Sequence, residues 1–259
     1  MQRTLKLAAH LSTSATGAAP SKPVCVIVGA GDATGSALAR KFSNEGYLVA
    51  CARREGEKLE PLIRTLAQGS RGFSTDARLE AEVQSLFQVV EKEMGPISVV
   101  IHNIGGNVRF PLLETTERVY RKVWELCGLS AFLVGKEAAK YMSPRGKGTI
   151  VFTGATAATR GAANFAAFAG GMHAKRALAQ TMAREFGPMG IHVAHVIVDG
   201  PIHTQFIREV VGANNFTALQ ESDGLLQPDE IAQAYFALVQ QHRSAWTFEM
   251  DLRPYSEKF

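Results

Sequence analysis

The chain has 259 residues, enough for one large α/β domain or two small ones. Apolar residues make up 46% and charged residues 20%, the balance of a folded soluble protein, and no apolar run reaches the roughly 20 residues that cross a bilayer. The net charge is +4, with Lys and Arg scattered and no aromatic-studded basic stripe, so nucleic-acid binding is not indicated.

Residues 1–22 differ from the rest. They hold Arg, Lys, His, Ser and Thr but no Asp or Glu, with Leu5, Leu7 and Leu11 adding apolar character. That composition is similar to a mitochondrial transit peptide, and it also fits a disordered N-terminal tail. Residues 23–259 form the folded unit.

Pro23–Ala30 predicts a buried strand, Gly35–Gly46 a helix ending at a glycine, and Tyr47–Ala52 a second strand. A charged helix follows over 55–68. Arg71–Thr75 predicts a short third strand. Ala77–Gly95 predicts an amphipathic helix with Val83, Leu86, Phe87 and Val90 on one face. Ile97–Asn103 is a fourth strand, and Glu117–Met142 one long helix. Gly148–Gly154 is a strand, Phe165–Gly187 an alanine-rich helix, and Ile191–Val198 another strand. Residues 227–241 predict a last helix before a short strand near Trp246–Asp251. The strands are continuous apolar runs, as in a parallel sheet covered on both faces. Strand–helix alternation throughout predicts a single-domain, doubly wound α/β fold, Rossmann-like in kind.

Cys25, Cys51 and Cys127 are widely spaced and odd in number, which argues for reduced thiols and against a disulfide framework or a zinc site. No metal-ligand spacing occurs elsewhere.

The first strand runs into Gly29-Ala30-Gly31-Asp32-Ala33-Thr34-Gly35. Glycines there let the backbone turn sharply and approach a pyrophosphate, which the N-terminal amides of the next helix face. At the end of the second strand stand Arg53 and Arg54, where an acidic residue would hold the ribose 2′-OH of NAD. A planar guanidinium suits a phosphate, so NADP(H) is favoured over NAD(H), although Asp32 nearby would repel that phosphate.

From Pro23 to Asp251 the chain resembles the short-chain dehydrogenase/reductase family. Val28–Gly35 is similar to the TGxxxGxG loop, with Ala33 at the middle glycine. His102–Gly105 is similar to the NNAG segment and keeps Asn103; Asp199–Thr204 is similar to PG-x-I-x-T. The resemblance implies cofactor contacts from Gly29, Gly31, Asp32, Ala33, Thr34, Gly35, Arg53, Arg54, Asp76, Ala77, Asn103, Gly105, Ile202 and Thr204. Asp76 would receive the adenine amino group; Ile202 and Thr204 would sit at the nicotinamide and pyrophosphate.

The same resemblance assigns the family's proton-transfer positions. Met182–Gly187 matches the end of the family's catalytic helix and fixes the register, placing the tyrosine position at Phe168 and the lysine position at Met172. The serine position is Ala155 and the asparagine position Cys127. None of these residues does the work of the one it replaces: Phe168 has no hydroxyl, Met172 no charge, Ala155 no donor. A rival register puts Lys175 at the lysine position and Gly171 at the tyrosine position, and it also loses the tyrosine. Thr153 and Thr156 remain as hydroxyls for the serine's role. His102 is a further polar group nearby, His173 is expected on another face of the helix, and Cys127 reads as a packed, inert thiol with no cation beside it.

Three functions follow. The first is an NADP(H)-binding protein of this family without ordinary carbonyl–alcohol redox chemistry. The second is an oxidoreductase with another proton source and an unusual substrate. The third is a non-catalytic subunit of a larger, mitochondrial assembly. A homo-oligomer is implied by the resemblance, in which long helices pair between subunits. Phe206–Leu226, the segment expected over the substrate, carries no signature of what it covers.

Overall fold

Short runs of Val, Ile, Ala and Cys pair in a single parallel sheet because both of their faces are covered and no polar alternation is needed. The computed structural model describes residues 22–257; the proposed transit segment, apart from Lys22, lies outside them. In chain order the first half comprises β1 (Val24–Val28), α1 (Thr34–Asn44), β2 (Leu48–Arg53), α2 (Glu60–Ile63), β3 (Arg71–Ser74), α3 (Glu80–Glu93) and β4 (Ile97–His102). Next come α4 (Glu117–Trp124), α5 (Ser130–Met142), β5 (Gly148–Ala155), α6 (Ala166–Phe186) and β6 (Ile191–Val198). Last are α7 (Gln205–Val211), α8 (Ala213–Glu221), α9 (Pro228–Val239) and β7 (Glu249–Leu252).

The strand order is β3-β2-β1-β4-β5-β6-β7, all parallel. The chain reverses direction across the sheet between β1 and β4, and such a reversal opens a crevice at the carboxyl ends of those strands. One core layer packs α3, α5 and α6 on the sheet through Val83, Phe87, Val134, Ala138 and Met182. The other packs α1 and α9 through Leu38, Phe42, Ile231 and Tyr235. Among the described residues no helix is long and apolar enough to cross a membrane.

Four segments differ from the sequence expectation. The long helix is interrupted by a π-helical turn over Glu125–Leu129 that buries Cys127 and Gly128. Gly128 lets Trp124 and Ala174 close in, since a Cβ there would lie 3.3 Å from Trp124 Nε1. The segment after β2 is largely a 3-10 turn (Gly56–Leu59) before the four-residue α2, because the Gly56 N–H goes to Ser74 Oγ (3.0 Å) and Pro61 stands in the first turn of α2. Residues 205–221 form two short helices; Thr204 caps α7 through Oγ1 to the Ile207 N–H (3.1 Å), and Gly212 at φ +83 separates it from α8. The last strand begins at Glu249, because Trp246 is stacked flat on His192 (centroids 4.9 Å, 1°) instead of joining the ladder.

The loop after β1 is held against the loop after β4. The Gly29 and Ala30 N–H groups donate to Ala52 O (2.9 and 3.1 Å), and Asn103 Nδ2 donates to Gly29 O (3.1 Å). Gly29 has φ +97, and a Cβ on it would stand 2.4 Å from Asn103 O. A side chain at Gly35 would stand 2.6 Å from Gly29 O, so the first turn of α1 lies directly on the loop. Both clashes are with backbone, which cannot move aside cheaply.

A buried cation ties the neighbouring strand ends to α6. Lys175 is fully buried, and its Nζ donates to Ile104 O (2.6 Å) and Thr153 O (2.9 Å). The titratable groups that feel it are His102, Cys127 and His195, none of them a carboxylate. Burial lowers the Lys175 pKa from 10.5 to about 8, partly offset by Cys127.

Two outcomes are expected. Gly29→Ala forces a strained φ onto a side chain that also meets backbone, and should cost roughly 1–3 kcal/mol in denaturant unfolding. A wild-type-like midpoint would show that the loop yields. For Lys175, the unfolded chain holds its proton up to about 10.5 while the folded chain releases it near 8, so stability rises with pH across that window. Relative to Lys175→Met, the wild type should gain on the order of 3 kcal/mol from pH 8 to 10.5. A pH-independent gap between the two proteins would contradict a depressed Lys175 pKa.

Candidate functional site

The crevice at the β1/β4 reversal opens into a cavity of about 1120 Å³ and a smaller one of about 270 Å³. Gly29, Gly31, Arg53, Arg54, Asp76 and Ala77 line the smaller one. Asp32, Ala33, Ala155, Phe168, Met172, Ile202 and Thr204 line the larger, and Asn103 and Gly105 face both. Thr34, Gly35 and Cys127 line neither: Thr34 and Gly35 are buried in the first turn of α1, and Cys127 is packed behind Gly106 and Gly171.

The smaller cavity has the chemistry of a nucleotide's adenosine end. Asp76 accepts from Arg78 Nε (2.9 Å) and Nη2 (2.5 Å), and this pair lowers the carboxyl pKa and keeps Asp76 an acceptor. Arg53 Nη1 donates to Asp32 Oδ1 (2.9 Å), so the loop acid sits on the arginine rather than facing an anion alone. Arg54 lines the same cavity, and its charge helps to lower the pKa values of Asp76 and Glu55. At Gly31 a Cβ would meet nothing within 4 Å, leaving open space before the amino end of α1, whose first N–H groups have no intrahelical acceptor. A dinucleotide's phosphates fit that opening.

The larger cavity is walled by α6 and the end of β5. Phe168 and Met172 are buried on its wall, and a Cβ at Gly105 would lie 3.4 Å from Met172 Cε and 4.0 Å from Phe168 Cε2. Gly171, the tyrosine position of the rival register, faces Cys127 instead: a Cβ there would stand 2.8 Å from Cys127 Cβ. Lys175 lies one turn further along α6, behind the carbonyls of Ile104 and Thr153, and lines neither cavity.

The remaining polar groups are mostly engaged. Thr156 Oγ1 donates to Asp199, which also pairs with Arg253 (2.8 Å). Thr153 Oγ1, which accepts from the buried Tyr235 hydroxyl (2.8 Å), belongs to a residue that lines the larger cavity. His173 is exposed and bonds Ala169 O one turn back (2.9 Å), on another face of α6 as expected. His102 Nε2 lies 2.8 Å from Ser130 Oγ, and burial first, then Lys175, keeps its pKa well below 6.5. Cys127 has a cation nearby that the sequence does not reveal: Lys175 pulls its pKa down, but burial prevails and the thiol stays above its ordinary value. Among the described residues no group of three metal-ligating side chains occurs.

Asn107, Arg160, Phe165 and His203 also line the larger cavity, and sequence reading had not singled them out. They lie on loops and 3-10 turns, where no periodicity or motif marks them.

The model of the family described as Enoyl-(Acyl carrier protein) reductase matches residues 29–250. A short-chain dehydrogenase from Rhodopseudomonas palustris, a solved structure, is 44% identical with a TM-score of 0.78, covering 91% of this chain and 100% of its own. A short-chain dehydrogenase/reductase of Armillaria gallica is 30% identical over 188 residues, 70% of this chain and 71% of that one. A variant of actinorhodin polyketide ketoreductase, solved with NADPH, has a TM-score of 0.84 at 22% identity, covering 92% of this chain and 98% of its own; at that identity the likeness is one of fold. The seven-stranded parallel sheet agrees with these matches, and the chain belongs to the short-chain dehydrogenase/reductase family, a family of oxidoreductases.

Proposed function

We propose that this chain is an NADP(H)-binding member of its family in which ordinary carbonyl–alcohol redox catalysis is lost. The observation that carries the reading is the apolar wall: Phe168, Met172 and Ala155, the residues that the resemblance assigns to the family's tyrosine, lysine and serine positions, line the larger cavity. Bound NADPH supplies hydride chemistry. On this reading the chain's own residues seat it. The α1 amino end and the loop 29–35 hold the phosphates, Asp76 accepts from the adenine, and Ile202 and Thr204 close over the nicotinamide end. Arg54 holds the 2′-phosphate, with Arg53 shared between that phosphate and Asp32. Phe168, Met172 and Ala155 offer no proton to a developing alkoxide, and a missing general acid costs about a hundred- to ten-thousandfold in rate.

Thr153 favours a second reading. Its hydroxyl accepts from Tyr235 and the residue lines the cavity, so it is the side chain best placed to orient a substrate oxygen in a chain that keeps some activity on an unusual acceptor. For a role in a larger assembly, Tyr120, Trp124 and Phe132 stand half-exposed along α4 and α5, a strip that fits a second copy of this chain. The mitochondrial address rests on residues 1–22 alone.

The cofactor reading is tested by titrating NADPH and NADH into wild type and Arg54→Ala. NADPH should bind more tightly in the wild type, and the variant should lose about ten- to a hundredfold for NADPH and almost nothing for NADH, the worth of one charge-assisted contact. Equal affinities of the wild type for both cofactors would overturn it. The lost catalysis is tested by restoration. Phe168→Tyr or Met172→Lys alone should leave NADPH oxidation with diketones, quinones and aldehydes at background, because the groups act as a unit. The triple variant with Ala155→Ser should rise above it. Wild-type turnover abolished by Thr153→Val would favour the second reading instead.

A further inference from the structure

We propose that the part of the large cavity beyond the nicotinamide end binds an apolar monoanion, a carboxylate carried on an aromatic or alicyclic frame, with Arg160 as its anchor. The inference rests on the cofactor reading for where the nicotinamide lies.

The charges around the cavity are unevenly partnered. Arg40 pairs with Asp229 (3.5 Å) and Arg53 with Asp32 (2.9 Å), and Asp199 is taken by Thr156 and Arg253. Asp32 and Asp229, the two carboxylates that line the large cavity, are each paired with an arginine, and the adjoining Asp199 shares Arg253 with Asp251. Arg160 is exposed on its rim, just past the turn that ends β5, and among the described residues its guanidinium has no hydrogen bond, ion pair or ring contact. Lys175, a second cation for which no carboxylate partner occurs among the described residues, bonds the carbonyls of Ile104 and Thr153, two residues that line the cavity. Among the described residues, Arg160 is thus the cation lining this space that no carboxylate engages.

The walls between these cations are apolar: Ala155, Phe165, Phe168, Met172, Phe206 and Ile207. A neutral carbonyl oxygen placed against Phe168 and Ala155 finds no donor on those two side chains, and a stranded polar atom is costly. A ring-bearing carboxylate avoids that cost. Its frame covers the two phenylalanines and the methionine, and its charge meets the forked donors of Arg160, a geometry suited to a carboxylate. A cationic ligand would meet like charge at Arg160.

The test is calorimetric titration of 2-naphthoate and of its uncharged methyl ester into the full chain, with and without saturating NADPH. The acid should bind at least about tenfold more tightly than the ester. Arg160→Gln should bring the acid down to the level of the ester, with thermal stability retained because the side chain is exposed; Arg160→Lys should keep part of the preference. Equal binding of acid and ester, an acid affinity untouched by Arg160→Gln, or no binding of either at millimolar concentration would overturn the proposal. Competition between 2-naphthoate and NADPH would also overturn it, since the anion would then sit in a phosphate site. If the acid binds in the Arg160-dependent way but NADPH does not bind at all, the anion site stands and the cofactor reading falls.

Discussion

The crevice of this protein depends on the backbone contact between the loop after β1 and the loop after β4. Asn103 reaches across to the carbonyl of Gly29, and the space between the two chains admits no Cβ at residue 29. Parallel strands on either side of the reversal diverge into different connections, so their carboxyl ends have to be held together by something other than the ladder. The Asn103 amide and the Ala52 carbonyl do that on one side of the cavity mouth, and the Lys175 ammonium does it on the other, bonding the ends of β4 and β5 from behind. The first tie is polar and open to a ligand's phosphates. The second is buried, so its charge is felt through the wall without being offered to a ligand.

Between these ties the cavity has two different chemistries. Toward β2 and β3 it presents Arg54, the Arg53–Asp32 pair and the Asp76–Arg78 pair, groups for recognising a charged nucleotide. Toward α6 it presents rings, a thioether and a methyl group. A site built to move a proton needs at least one titratable side chain facing the reacting atoms; four of the titratable groups near this wall are turned away, and His203, which lines the cavity, packs its ring on Phe216. His173 points to solvent, His102 is sealed against Ser130, and Cys127 and Lys175 lie behind the lining. Retention of the nucleotide side with loss of the proton side is what the proposed function describes.

Much of the fold was legible in the sequence because continuous apolar runs and helical spacing are strong signals. β1, β4, β5 and β6 lie where their Val and Ile runs place them, and the glycine loop was found by its position between a strand and a helix. The π turn at Glu125–Leu129 was not legible, since one extra residue in a helical turn leaves the apolar spacing nearly intact. The paired helices α7 and α8 were not either, being short and mostly exposed, held by a Thr204 cap and a hinge at Gly212. Within the site, the placement of Phe168, Met172 and Ala155 on one wall followed from register. The burial of Lys175 did not: a lysine on an alanine-rich helix reads as a solvated side chain, and only the fold shows two carbonyls waiting for it. The Arg53–Asp32 pair joins residues far apart in sequence whose opposed effects on a phosphate were visible, but not their contact.

The central claim is that this cavity holds NADPH without passing its hydride to a carbonyl. The most direct measurement follows deuterium from NADPH labelled at the nicotinamide C4, incubated with excess wild-type protein and a panel of ketones, aldehydes and quinones. The account predicts that the cofactor is bound and recovered with its label, and that no deuterated alcohol or quinol appears above the protein-free control. Transfer of deuterium to carbon in a stoichiometric or catalytic amount, dependent on the protein, would contradict it.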